Sequence, residues 1–212
     1  MNKIRSAAFL LLAALAGSTL QGCLGVAAVG AGAAAVSAFD RRTTGTQIED
    51  ERIELVASNR FGEKFGDKAH INATSYNRNV LLSGEVPDDK ARAEAEKIVL
   101  GLPNVRGVTN DLQVTGVSSL SAQAGDAATT GKVKARFVDA NKFNAVHVKV
   151  VTEASVVYLL GIVTEAEAND AVEIARTTGG VRKVVKVFEY CKPTDPACAP
   201  RDKPKAEEAK KK

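Results

Sequence analysis

Apolar residues recur along the chain with two different spacings. In 69–84 and again in 146–161, much of the stretch has an apolar residue at every second position, which is typical of strands with one buried face. Elsewhere the apolar residues lie three or four positions apart, as Ala91, Ala95 and Val99 do. That spacing predicts amphipathic helices. The chain is therefore expected to combine short strands with helices.

The two strand-rich stretches are copies of each other. His70 and Gly84 have counterparts in His147 and Gly161, each 77 positions further along. The same offset pairs Ile71, Val80, Leu82 and Ala91 with Val148, Val157, Leu159 and Ala168. Self-similarity at a constant offset indicates a repeated structural unit. We therefore expect two similar modules in tandem.

Each copy begins with signals for a helix. Thr46 and Glu49 have the spacing of a capping box, and Asp50 beside them favours a helix N-terminus. In the second copy Thr129 or Thr130 is expected to cap the run that carries Val133 and Phe137. Two alternating strands follow in each copy, joined by turns near 76–79 and 153–155.

A second helix and a closing strand complete each copy. The helix is predicted to begin at 87–89 in the first copy and at the capping box of Thr164 and Glu167 in the second. The closing strands are predicted at 108–114 and 184–190. The order is α-β-β-α-β, an α+β fold. The predicted segments are a signal peptide at 1–22, a linker at 23–45, a module at 46–115, a linker at 116–128, a module at 129–191 and a disordered tail rich in Lys, Pro and Glu at 192–212.

The two modules differ on the sheet face that lies opposite the core. In the first copy that face is mostly polar, with residues such as His70, Asn72 and Ser83. In the second it carries apolar residues, among them Val151, Val156, Tyr158, Leu160, Val185 and Val187. A face this apolar is not expected to remain in water. We expect the first module to cover it, giving one compact body.

The N-terminus resembles a lipoprotein signal peptide. Lys3 and Arg5 precede an apolar stretch at 7–16, and Leu20-Gln-Gly-Cys23 then matches a lipobox. The resemblance implies cleavage after Gly22 and acylation of Cys23; the alternative is an ordinary secreted protein with a cysteine near its cleavage site. Leu24 stands where many inner-membrane lipoproteins carry Asp, so we expect a lipid anchor on the periplasmic face of the outer membrane. The uncharged run 24–39 is too short to span a bilayer and is interpreted as a spacer, with contact to the membrane surface as the alternative.

Two further cysteines, Cys191 and Cys198, lie close together in a segment that contains proline. In an oxidising compartment they are expected to form a disulfide that closes a small loop. A metal site there is disfavoured because no further Cys or His stands nearby. His70 and His147 occupy equivalent positions and indicate inherited architecture rather than a catalytic pair. The sequence contains no nucleophile or phosphate-loop motif, and we predict no catalytic residue, no metal site and no cofactor.

Taken together, Val80-Leu-Leu-Ser-Gly84, its counterpart Val157-Tyr-Leu-Leu-Gly161, the Ala-rich helix and the closing Val-rich strand resemble the BON domain. The resemblance covers nearly the whole chain from Cys23 to Tyr190. It implies a three-stranded mixed sheet packed on two helices in each module. It also implies a periplasmic outer-membrane lipoprotein that binds phospholipid through its second module and supports envelope integrity and processes at division sites.

The charge distribution agrees with a lipid-facing second module. The net charge of +4 is too small to indicate nucleic acid, and no nucleic-acid partner is expected. Basic residues beside apolar ones suit anionic headgroups such as phosphatidylglycerol. The predicted phospholipid-binding residues are Lys132, Val133, Lys134, Arg136, Phe137, Lys142 and Phe143. Two alternatives stay open, a solvated basic helix face and an adaptor lipoprotein that binds a protein partner of the envelope or of peptidoglycan remodelling.

Overall fold

The computed structural model describes residues 39–196 and 198. The chain divides into two units, Met1–Asp40 and Arg41–Lys212, and both modules lie in the second. The predicted signal peptide, the lipidation site Cys23, the linker up to residue 38 and the tail after Cys198 lie outside the described residues.

The first module has the predicted order of elements. They are α1 (Thr44–Phe65), β1 (His70–Tyr76), β2 (Asn79–Val86), α2 (Asp89–Leu100), β3 (Gly107–Asn110) and β4 (Gln113–Val114). The central strand β2 pairs antiparallel with β1 and parallel with both β3 and β4. The closing strand, expected to be continuous, is broken at Asp111 and Leu112. The side chain of Asn110 accepts a hydrogen bond from the Leu112 N–H at 3.2 Å, which satisfies the backbone at the break.

The second module repeats this arrangement. Its elements are α3 (Leu120–Ala140), β5 (Val148–Glu153), β6 (Val156–Val163), α4 (Glu165–Arg176) and β7 (Lys183–Tyr190). The central strand β6 pairs antiparallel with β5 and parallel with β7. A short 3-10 helix, Ala145–His147, precedes β5, so His147 lies just outside the strand that was predicted to include it.

The start of α3 corrects the sequence prediction. Ser119, not Thr129 or Thr130, caps this helix by accepting a hydrogen bond from the Ala122 N–H at 3.3 Å. The intervening residues are rich in alanine, the best helix former, so the helix extends ten or eleven residues further towards the N-terminus than expected. Thr129 lies inside the helix, where its hydroxyl donates to the Gly125 carbonyl at 3.0 Å. Most of the predicted linker 116–128 is therefore helical.

Helix α1 also begins earlier than predicted. Thr43 is its cap and accepts from the Thr46 N–H at 3.2 Å. Asp50 consequently lies in the second turn of the helix and is buried, rather than exposed at the N-terminus. The capping box of Thr164 and Glu167 at the start of α4 is confirmed, with both reciprocal hydrogen bonds present.

Asp50 has a structural role that recurs in the second module. Asn77 and Arg78, which form the turn between β1 and β2, both have positive φ angles, and their N–H groups donate to the Asp50 carboxylate at 2.8 and 2.7 Å. In the second module the N–H groups of the turn residues 154 and 155 donate to Asp126 at 2.8 and 2.9 Å. A buried carboxylate of the first helix thus fixes the hairpin turn in each module.

The glycines of the repeated strand motif are explained by a close backbone approach. A Cβ atom on Gly84 would collide with the backbone oxygen of His70, and one on Gly161 with that of His147. Gly84 also has a φ of 116°, a conformation that other residues rarely adopt. The motif therefore ends in glycine because the backbone at the start of the paired segment leaves no room for a side chain.

Each module has its own apolar core between its helices and one face of its sheet. The first core includes Ile53, Phe61, Val80, Leu82 and Val99. The second includes Val133, Phe137, Val157, Leu159 and Ile174. Valine, leucine and alanine provide much of this buried surface, as the low aromatic content of the chain predicts.

A third apolar cluster joins the two modules. Tyr76 and Leu81 of the first module are buried with Tyr158 and Leu160 of the second. Val151, Val156, Val185 and Val187, which were expected to need cover, pack against this cluster. The prediction of one compact body is confirmed.

Polar contacts surround this cluster. The Lys149 ammonium donates to Glu54 at 2.6 Å, and the side-chain amides of Asn77 and Asn79 donate to Glu189 at 2.9–3.1 Å. These contacts connect residues more than ninety positions apart. The relative position of the modules is thus specified by directional bonds as well as by apolar burial.

Cys191 and Cys198 are joined by a disulfide. Residues 193–196 form a turn, and the N–H of Lys192 donates to the Asp195 side chain at 2.9 Å, so the start of the predicted disordered tail is ordered. The Arg41 guanidinium donates to the Cys198 carbonyl at 3.1 Å. The loop therefore packs beside the N-terminal end of this unit.

Candidate functional site

Three of the residues predicted to meet lipid are instead core residues. Val133 and Phe137 are buried on the inner face of α3, and Phe143 packs edge-on against Phe137 with 5.1 Å between ring centroids. The prediction for these three is wrong. An apolar stripe at helical spacing looks the same whether it faces a core or a membrane, and here it faces the second core.

Arg136 and Lys142 bind the neighbouring helix. Arg136 donates to the Ile174 carbonyl at 2.8 Å and to the Thr178 hydroxyl at 2.7 Å, which satisfies acceptors at the C-terminal end of α4. Lys142 pairs with Asp170 at 2.8 Å, and that hydrogen bond raises the pKa of the Lys142 ammonium. Both cations are thus engaged with α4, and half of the Lys142 side chain stays exposed.

The two remaining predicted residues, Lys132 and Lys134, are exposed on α3. Apolar residues accompany them on the outer side of the helix. Leu120 is 83% exposed and Val138 is 66% exposed. They lie about five helical turns apart, so they share one face, and the exposed Ala127 and Gly131 lie between them. Lys134 lies about 40° around the helix from this line and Lys132 about 120° in the other direction, so the two lysines flank it on opposite sides. We call Leu120, Val138, the small residues between them and the flanking Lys132 and Lys134 the α3 outer face.

His147 belongs to a polar cluster at the end of the second module. Its Nδ1 lies 3.4 Å from Glu167, which also accepts two hydrogen bonds from the Arg41 guanidinium at 2.7 and 3.0 Å. Burial raises the pKa of the Glu167 carboxyl, but hydrogen bonds from His147, Arg41 and Thr164 outweigh it and hold that pKa well below its ordinary value. The cluster ties Arg41 to the start of α4 and has a structural role.

His70 lies at the junction of the modules. Its Nε2 is 3.6 Å from a carboxylate oxygen of Glu153 and 3.1 Å from the side-chain amide of Asn72, which also donates to Glu153 at 2.7 Å. Glu85 faces His70 across the β1–β2 pair. Burial raises the pKa of the Glu153 carboxyl, and the hydrogen bond from Asn72 opposes that effect.

The sequence did not predict this grouping. His70 and Glu85 come from the first module and Glu153 from the second, so the distances along the chain resemble no ligand motif. The two histidines do not approach a common site, because each is engaged by carboxylates in its own surroundings.

No helix within the described residues, 39–196, has the length and apolar character needed to cross a membrane.

Comparison with known proteins agrees with the duplicated architecture. The family model for the BON domain matches residues 49–116 and 125–192. The outer membrane lipoprotein DolP of Haemophilus influenzae is 40% identical over 183 residues, which cover 84% of this chain and 95% of that protein.

Two further relatives show the same relationship at lower identity. The 21 kDa hemolysin of Actinobacillus pleuropneumoniae is 35% identical over 71% of this chain and 79% of its own length. The osmotically-inducible protein Y of Escherichia coli is 34% identical over 54% of this chain and 58% of its own length. The chain therefore belongs to the BON domain family, as an outer-membrane lipoprotein with two BON domains that is similar to DolP.

Proposed function

We propose that this protein is a non-enzymatic lipoprotein, acylated at Cys23, that binds anionic phospholipid such as phosphatidylglycerol through the α3 outer face of its second module. The observation that carries the proposal is the composition of that face. Two exposed lysines flank the line of α3 that carries a leucine and a valine, both well exposed, and Lys134 lies one helical turn from Val138. Exposed apolar side chains next to cations are the combination that an interfacial helix uses.

The electrostatic part of the binding energy comes from Lys132 and Lys134. A cation near an anionic membrane surface contributes about 1 kcal/mol to the free energy of binding, and added salt reduces this contribution. The second module suits this role better than the first, since residues 132–190 have nine basic and seven acidic residues while residues 46–114 have nine and twelve. The exposed apolar residues lie between the two lysines around the helix, so both effects favour one orientation on the bilayer.

The small residues on the α3 outer face support the same conclusion. Ala127 and Gly131 project little from the helix, so they allow its backbone to approach the headgroup layer between Leu120 and Val138. Beneath the helix, Val133 and Phe137 fix its position on the module. Val133, Phe137 and Phe143 thus support the surface from behind, while Lys132 and Lys134 belong to it. Arg136 and Lys142 bind α4 instead.

The proposal gives the acyl chains and the second module complementary roles. Acylation at Cys23 would keep the protein at the outer membrane, and the weaker α3 contact would orient it and respond to headgroup composition. We further propose that this response supports envelope integrity, including at division sites, where membrane composition and curvature change.

Vesicle binding tests the proposal directly. A Cys23→Ser form, which cannot be acylated, is expected to bind phosphatidylglycerol vesicles more tightly than phosphatidylcholine vesicles, with binding that weakens as salt rises. The Lys132→Glu/Lys134→Glu double variant is expected to lose about tenfold or more of the affinity. Lys90→Glu/Lys97→Glu, on the exposed side of α2, makes the same change in net charge and serves as the control. Equal binding to both lipids, or equal loss in both double variants, would refute the proposal.

A second candidate function is the binding of an envelope protein through the first module. Ile48 and Leu55, seven positions apart on α1, are both exposed and share one face of the helix. Such a pair suits a partner helix or groove. Cross-linking in detergent extracts would test this function: an adaptor would lose a stoichiometric partner in the Ile48→Glu/Leu55→Glu variant and keep it in the Lys132→Glu/Lys134→Glu variant.

A further inference from the structure

We propose that His70, Glu85 and Glu153 bind one divalent transition-metal ion of the zinc class at the junction of the two modules. One potential ligand atom of each residue lies within 4.8 Å of those of the other two. The grouping exists only in the assembled protein, since two ligands come from the first module and one from the second.

The strongest support for a metal site is the buried carboxylate of Glu85. Its side chain is only 3% exposed, and among the described residues no donor reaches its Oε2 atom. A buried carboxylate oxygen without a hydrogen bond is costly, because the lost hydration is not replaced. The hydroxyl of the neighbouring Ser83 is also buried, and it has no hydrogen-bond partner among the described residues. A cation beside Glu85 would supply the missing interaction.

The charges at the junction also favour a cation. Glu153 is 6% exposed, and its carboxylate experiences the like charges of Glu85 and Asp126 in addition to its favourable interactions with Asn72 and His70. The two carboxylates have a charge of about −2, which a divalent ion bound between them and the imidazole would cancel. Without such an ion, the buried carboxylates repel one another at the surface where the modules meet.

The donor set selects the class of metal. One imidazole nitrogen and two carboxylate oxygens suit zinc and related ions, whereas magnesium and calcium prefer oxygen ligands alone. Ligands about 2.1 Å from a tetrahedral ion lie about 3.4 Å from one another. The Nε2 atom of His70 is already 3.6 Å from Glu153, and rotation of the glutamate side chains would close the remaining gaps.

The surroundings provide orientation and access. Asn72 donates to Glu153 at 2.7 Å and would keep this bond when a metal is present. The metal would take the place of Asn72 at the Nε2 atom of His70. A cavity of about 310 Å³ is lined by residues of both modules, among them Gly84, Tyr158 and Glu153, and reaches the Glu153 side of the site. His70 is itself partly exposed. An ion can therefore reach the site without separation of the modules.

The test uses the untagged full mature chain in detergent, treated with a chelator and then titrated with zinc or magnesium. We expect one zinc ion per chain by calorimetry, no comparable magnesium binding, and a rise in Tm of about 5–10 °C at a hundredfold excess of zinc over its Kd. Glu85→Gln and Glu153→Gln should each weaken zinc binding at least tenfold. His147→Gln, at the equivalent position of the second module, is the matched control and should bind normally.

Two outcomes would overturn the assignment. One is the absence of saturable zinc binding, and the other is wild-type affinity in both glutamine variants. Should either variant fail to fold, the histidine ring signals in NMR spectra of the wild-type protein decide: zinc should shift those of His70 and leave those of His147 unchanged. Zinc that shifts only His147, or neither ring, would equally refute the site.

Discussion

The hydroxyl of Tyr158 donates a hydrogen bond to the carboxylate of Asp111 at 2.9 Å, joining the central strand of the second module to the closing segment of the first. Tyr158 is also part of the apolar cluster between the modules. Burial raises the pKa of the Tyr158 phenol, and the hydrogen bond to Asp111 raises it further. One side chain thus contributes both apolar area and a directional bond to the junction.

Removing this hydroxyl should weaken the junction. Tyr158→Phe keeps the ring and loses the bond to a charged acceptor, which we expect to lower the free energy of unfolding by about 1.5 kcal/mol. Urea unfolding followed by circular dichroism measures the change. Tyr190→Phe, at an exposed tyrosine, is the control and should have little effect. Equal stabilities of the two variants would show that the bond does not hold the modules together.

Acid should weaken the cluster around Glu167. The pKa of this carboxyl is lower in the folded protein than its ordinary value of 4.5. The stabilisation is therefore complete above about pH 4.5 and is lost as pH falls below it. Glu167→Gln should make Tm less dependent on pH between about pH 6 and pH 3.

Glu165→Gln, an exposed change in the same helical turn, provides the charge-matched control for that measurement. A Glu167→Gln variant with the same acid dependence as this control would contradict the role assigned to the hydrogen bonds from Arg41 and His147.

The glycine of the strand motif should tolerate no side chain. Gly161→Ala places a methyl group against the His147 backbone oxygen and should destabilise the protein by about 1–3 kcal/mol. Gly131→Ala should have the opposite effect on stability, because a Cβ there meets open space in the middle of α3. That change should stabilise the helix by about 0.5–1 kcal/mol. Thermal unfolding of both variants distinguishes the two environments, and a stable Gly161→Ala protein would contradict the close approach.

Replacing a buried carboxylate that fixes a hairpin should destabilise the protein more than replacing an exposed one. Asp126→Ala leaves the two N–H groups of the turn at 154 and 155 without their acceptor, and we expect a loss of about 2 kcal/mol in stability. Asp139→Ala, exposed near the end of the same helix, is the control and should stay within about 0.5 kcal/mol of the wild type. Hydrogen exchange at Ser155 should also accelerate in Asp126→Ala. Unchanged protection there would show that the carboxylate does not hold the turn.

Local features of the fold could be predicted from the sequence because their signals are local. The constant offset between Gly84 and Gly161 revealed the duplication, and the capping box at Thr164 marked the start of α4. The alternation in β5 and β6 even predicted that the outer sheet face would be covered. The start of α3 was missed because its first half is rich in alanine and has no strong apolar periodicity.

The candidate sites depended on contacts between distant residues, and sequence patterns contain little information about these. Arg136 satisfies acceptors at the end of a helix about forty positions away, which no spacing along α3 indicates. Val133 and Phe137 have a spacing that suits a core and a membrane equally. The approach of His70 to Glu153 depends on how two modules pack, and that arrangement is set by the whole interface.

The most direct test of lipid binding by the α3 outer face is an environment-sensitive fluorophore attached at single cysteines that replace Val138 or Leu55. The two positions have similar exposure, 66% and 63%, but lie on different modules. In the Cys23→Ser form with its disulfide intact, we predict a blue-shifted, more intense emission at position 138 on phosphatidylglycerol vesicles and no change at position 55. Equal changes at both positions, or a change at position 55 alone, would contradict the account.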